Sequence, residues 1–199
     1  MQKLSKLIAA KTSPENSSLW LPLWMHLRDT AEIIKKLAEE WVPDSVINAA
    51  GLTREEFEKV SVWLAAIHDI GKCTALFQSR ITEMLLEIRE LLSEFLELPL
   101  QSEFMDARCS PHALAGEAIL LEYGINRGTA SVVGSHHGKP PEIEEQTPVK
   151  GGYDLSKQIG RLRVNTFPRT SGGDPLVGKS GEKAAYLDVL LFVNYKAAH

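Results

Sequence analysis

Apolar positions along the chain recur with helical spacing, and no convincing alternating strand pattern appears, so the sequence predicts an all-α architecture. The first stripe runs from about Leu19 to Trp41, with Leu23, Leu27, Ile34, Leu37 and Trp41 on one face and Pro43 just beyond the end. A second helix opens at Thr53, which stands at capping-box spacing from Glu56. It carries Phe57, Val60, Leu64, Ile67 and His68 on one face and meets a stop signal at Gly71. From about Thr74 to Leu98 a third pattern sets Ile81, Leu85, Ile88, Leu92 and Phe95 against a solvated, glutamate-rich face. A fourth helix opens at Ser110-Pro111-His112, with serine as the expected cap and proline at the first helical position, and closes near Gly124. A fifth spans Arg127 to His137 and stops at Gly138 and Pro140-Pro141, which cannot continue it. Beyond residue 142 the pattern weakens into glycine- and proline-marked turns around a short helix at 154–163, before a last apolar helix from Glu182 to about Ala197.

A chain of 199 residues, 44% of them apolar, suits one domain over 1–199 with a single core and a loop-rich C-terminal part. No uncharged apolar run reaches the length needed to span a bilayer, so no membrane partner is expected. The N-terminus has no signal-peptide cleavage pattern, and Cys73 and Cys109 form neither a CxxC pair nor a disulfide framework. A cytoplasmic location is the expectation. The formal charge of -4 argues against a surface positive all over. Charge is uneven, however: residues 80–106 lean acidic, whereas 150–183, with Lys150, Lys157, Arg161, Arg163, Arg169, Lys179 and Lys183, lean basic and would be the place for a polyanion to touch.

Candidate chemistry lies in five of the six histidines. His68-Asp69, at a helix end, offers a nitrogen and an oxygen donor to one cation or to two neighbouring cations. His136-His137 adds two imidazoles at another helix end. His112 adds one in a first turn, where the helix dipole favours the neutral form that a metal requires. His26 lies beside the apolar stripe of the first helix. Glycine or proline flanks most of these positions, which packing alone explains poorly. Histidine-rich ligation points to one or two divalent transition-metal ions, with manganese, iron, cobalt, nickel and zinc all open.

His26, His68-Asp69-Ile70-Gly71-Lys72, His112 and His136-His137-Gly138 follow the motif order of the HD phosphohydrolase superfamily. More narrowly, LWLPLWMHLRDTAEIIKKL (19–37), LAAIHDIGKCTALFQ (64–78), PHALAGEAILLEYG (111–124) and SHHGKPPE (135–142) resemble the HD nuclease domain of the CRISPR type I effector nuclease-helicase, over about residues 19–142. The resemblance implies an HD-type helical bundle that cleaves single-stranded DNA, with a helicase module and the CRISPR surveillance complex as partners. No P-loop is present, so the chain is expected to be an excised domain or a separately encoded subunit. The resemblance further implies that His26, His68 and Asp69 surround one metal. Asp69 would bridge to a second ion held by His112, His136 and His137, and Lys72 would face the scissile phosphate as a catalytic group beside Asp69. Ser135 and Lys139, flanking the His-His pair, are further candidates to contact phosphate. The family's late aspartate has no clear counterpart: Asp188, in AAYLDVLLF, is the candidate, Asp174 a poorer one, and residues 143–199 match the family little. Two other functions remain open at this level, an HD phosphohydrolase acting on nucleotides and a non-catalytic module that binds the surveillance complex.

Overall fold

The computed structural model describes residues 6–16, 18–83, 85–94 and 111–138, and its architecture is all-α apart from one small hairpin. That hairpin pairs β1 (Ala9–Thr12) with β2 (Trp20–Pro22) in antiparallel register, Ala9 opposite Pro22 and Thr12 opposite Trp20, with a register shift between Ala9 and Lys11. Strands of four and three residues are too short for a period-two pattern to show, which is why helical periodicity alone does not find them. They also move the start of the first helix. Leu19 to Pro22 is not helical, because the residue before a proline is driven to extended backbone. Helix α1 therefore runs Leu23–Glu40 with Pro22 as its N-cap.

Helix α2 (Asp44–Ala49) follows Pro43, a short turn that the periodicity does not reveal. Helix α3 (Arg54–Ile67) has the expected capping box: Thr53 accepts from the Glu56 N–H, and the Glu56 carboxylate accepts from the Thr53 N–H at 2.8 Å. A 3-10 turn, Ile70–Cys73, then leads to α4 (Ala75–Ile81) and α5 (Leu86–Ser93). The single helix expected over 74–98 is thus two. It breaks at Thr82, whose hydroxyl donates back to the Gln78 carbonyl at 2.6 Å and competes with continuation of the helix. Helix α6 (His112–Glu122) takes Pro111 as its N-cap, one position later than the Ser110 cap expected. Helix α7 (Arg127–Gly134) is capped by Asn126, which accepts from the Thr129 N–H, and ends before His136-His137 rather than at them. Gly138 follows at φ 86°, a left-handed conformation that closes the turn. The helices expected at 154–163 and 182–197 lie outside the described residues.

The core gathers Leu23 and Leu27 of α1, Ala66 and Ile67 of α3, Ile70 and Cys73 of the 3-10 turn, Ile119 and Leu120 of α6, and Val133 of α7. Not all of the first stripe is core: Trp41 is 77% exposed and Leu37 40%. Helix α6 is buried from Ala113 to Leu120, on every face, and so forms the central rod of the fold. Among the described residues no single helix is long and apolar enough to cross a membrane.

Candidate metal centre

Three local features aim the histidines at one place. Helix α3 ends at His68, and the chain turns sharply through Asp69 into the 3-10 turn because Gly71 lies directly against α6. A Cβ at position 71 would stand 1.9 Å from the His112 carbonyl oxygen and 2.5 Å from the Gly116 nitrogen. This contact sets the His-Asp pair beside the first turn of α6, where His112 sits. Gln78, fully buried on α4, holds the turn from the other side. Its amide donates to the carbonyls of Lys72 (2.7 Å) and Ala9 (2.8 Å) and accepts from the Ala9 N–H (3.0 Å), tying hairpin and turn together. Finally, the turn after α7 brings His136 and His137 over the same spot.

Asp69, 2% exposed, is the hub. Its Oδ2 lies 2.9 Å from His26 Nε2, 3.3 Å from His68 Nε2 and 2.6 Å from Lys72 Nζ. Its Oδ1 lies 3.2 Å from the Nε2 atoms of both His112 and His136. His137 Nε2 stands 2.9 Å from His112 Nε2. The donor atoms fall into two groups able to hold a cation, His26 with His68 and Asp69, and His112 with His136 and His137, each group's atoms lying within 4.8 Å of one another. All six residues singled out as ligands in the sequence are thus brought together, with Lys72 among them.

The chemistry of this donor set fits divalent metal. His68 and His136 each donate Nδ1–H to the carbonyl three residues earlier, Ala65 and Val133, both at 2.6 Å. That bond places the proton on Nδ1 and leaves the Nε2 lone pair facing the centre, the usual outer-shell arrangement for a ligating imidazole. Asp69 Oδ1 and His136 Nε2 are both buried and, among the described residues, without a hydrogen-bond partner of good geometry, a costly condition that a cation would relieve.

Electrostatics agree for Asp69 and His137, while His136 shifts the other way. Burial by itself pushes the Asp69 carboxyl up, but the imidazoles of His112, His136, His26 and His68 outweigh it and hold the group well below the usual carboxylate range. His137 is held below the ordinary histidine value, first by burial and then by the neighbouring His136 and His112. For His136 burial lowers the value, and the Asp69 carboxylate with the Val133 carbonyl reverses it, so that its net direction is upward in the absence of a cation.

An open groove of about 1130 Å³ leads away from the histidines between α1, α3 and α7, lined by Thr30, Ile34, Ser61, Leu64, Ser131 and Val132. Ser135 also borders it, with its hydroxyl already donating to the Ser131 carbonyl at 2.5 Å. Lys139, Asp174 and Asp188 lie outside the described residues, and with them the candidate late carboxylate. Periodicity and motif order pass over Gln78, the groove hydroxyls and Glu117. Only Glu117 carries a visible signal, a lone acid within the apolar run HALAGEAILL.

The family profile described as Cas3, HD domain matches residues 10–168. The CRISPR-associated nuclease/helicase Cas3 of Streptococcus thermophilus is 30% identical over 154 residues, covering 70% of this chain and 17% of that protein. A solved structure of a CRISPR-associated protein superposes with a TM-score of 0.64 at 19% identity, covering 97% of this chain and 19% of the other, a likeness of fold. The chain therefore spans less than a fifth of the length of each of these relatives. With a profile match over most of its length, the chain belongs to the Cas3 HD-domain family.

Proposed function

We propose that this chain is a metal-dependent nuclease domain that cleaves single-stranded DNA in CRISPR type I interference, alongside a helicase module and the surveillance complex. The observation that carries the reading is the convergence of four imidazoles on one buried carboxylate, with a fifth, His137, against His112, at the head of an open groove. His26, His68 and Asp69 would hold one ion and His112, His136 and His137 a second, with Asp69 between them. Bound there, two divalent cations would supply Lewis-acid charge to a phosphodiester and would make water acidic enough to act as a nucleophile near neutrality.

The chain's own residues do the rest. Ala65 and Val133, through their carbonyls, keep His68 and His136 in one tautomer and one orientation. Lys72, 13% exposed at its side chain and lining the groove, brings a fixed positive charge beside Asp69, where nonbridging phosphate oxygens gain charge during displacement. Ser61 offers a hydroxyl to a backbone lying along the groove, and Ile34, Leu64 and Val132 offer apolar surface to bases. An open groove suits a strand better than it suits a free nucleotide, which favours the nuclease over the nucleotide phosphohydrolase.

The test is degradation of circular single-stranded DNA by the purified chain with added manganese, cobalt or nickel, alongside metal analysis. Metal-stimulated cleavage that His68→Ala and Asp69→Ala both abolish is the expected result. Cleavage persisting in both variants would overturn it, and nucleotide hydrolysis without DNA cleavage would select the phosphohydrolase.

A further inference from the structure

The second ligand group is assembled from two elements, since His112 is the first residue of α6 while His136 and His137 follow the end of α7. Between those helices lies Glu117, 0% exposed, on a helix otherwise apolar or glycine from Ala113 to Leu120. Its Oε1 accepts from Ser131 Oγ of α7 at 3.0 Å. Its Oε2 is buried with no hydrogen-bond partner among the described residues. That oxygen fills the space where Gly134 has no side chain: a Cβ there would stand 2.2 Å from Oε2 and 3.1 Å from the Glu117 Cβ. From Ser131 the bonding continues toward the site. Its carbonyl accepts from Ser135 Oγ, and the next residue, His136, is oriented by the Val133 carbonyl. An acid in this place is dearer to bury than a leucine, so packing does not account for it.

We propose that Glu117 is a positioning residue for the His112, His136 and His137 group, registering α7 on α6 through Ser131 and the gap at Gly134. The proposal rests on the metal reading above and touches only its second ion. Outer-shell partners of this kind act through ligand geometry, and losing one weakens metal binding on the order of 10–100-fold.

The experiment titrates metal-free protein with cobalt, following ligand-field absorption and bound-metal stoichiometry, for the wild type and for Glu117→Leu, Glu117→Gln and Gly134→Ala. Glu117→Leu is expected to keep the first ion at wild-type affinity and to weaken the second by at least about tenfold. Glu117→Gln, which still accepts from Ser131, should restore it. Gly134→Ala, by displacing Oε2, should reproduce the leucine phenotype and add little further loss when combined with Glu117→Leu, because both act on one contact. Equal weakening of both ions in Glu117→Leu, together with failure of glutamine to rescue, would reduce Glu117 to a general stability role and overturn the proposal. Two ions bound normally by Glu117→Leu would overturn it while leaving the metal reading intact, whereas a wild type that binds no cobalt would remove both. If Glu117→Leu does not fold, Glu117→Gln and Gly134→Ala decide the matter by the same criteria.

Discussion

Two buried residues outside the donor set, Gly71 and Gln78, govern where Asp69 stands. At Gly71 any side chain meets backbone, the His112 carbonyl and the Gly116 nitrogen, so neither neighbour can move aside without shifting α6. Gly71→Ala is expected to destabilise the fold by roughly 3 kcal/mol, at the upper end of ordinary overpacking, measurable by urea denaturation. Gln78 tests a different term. Gln78→Glu preserves its size but cannot donate to the Ala9 and Lys72 carbonyls, which would then be buried unsatisfied. A loss of about 2–4 kcal/mol is expected, measured by urea denaturation. At this scale the six candidate ligands were legible in the sequence, because metal chemistry restricts the residue types and the HD motif order restricts their places. The supports were not legible: a glycine in a turn and a glutamine in a helix have many ordinary explanations, and only the close approach of α6 and of β1 makes these two special.

Among the elements, α3 carries the most explicit instruction. Its capping box joins Thr53 and Glu56, and the hydrogen bonds from the Thr53 N–H and hydroxyl hold the Glu56 carboxyl below its ordinary value of 4.5. A depressed folded value means stability that is full above the unfolded value and is lost as pH falls through the folded one. The destabilisation caused by Glu56→Ala should therefore be complete at neutral pH and shrink progressively below about pH 4.5, as followed by urea melts across that range. Thr53→Ala is expected to cost about 1 kcal/mol at neutral pH by the same measurement. The box was readable because it is a four-residue local pattern. The hairpin and the break at Thr82 were not, since a three-residue strand has no periodicity and a threonine reaching back to its own helix looks like any other threonine.

For the molecule as a whole, Asp69 and His136 leave buried polar atoms that a cation would satisfy, so metal and fold should be coupled. Adding manganese or cobalt to chelator-treated protein is expected to raise Tm. At a hundred times the dissociation constant the gain is about 2.7 kcal/mol, checked by thermal denaturation against metal concentration, and Asp69→Ala should abolish the response. What the sequence determined by itself was local or typed: the helical class, the capping box, the residues able to ligate and the family they resemble. These follow from short-range periodicity and from donor chemistry, which are written along the chain. What only the tertiary structure decided was convergence. Residues 26, 68, 112 and 136 are far apart in the chain, and their meeting depends on α6 being buried on all sides, on Gly71 letting the His-Asp turn lie against it, and on Glu117 bridging α6 to α7. Such contacts arise from packing between elements, where the outcome depends on every neighbour at once and no single stretch of sequence carries it.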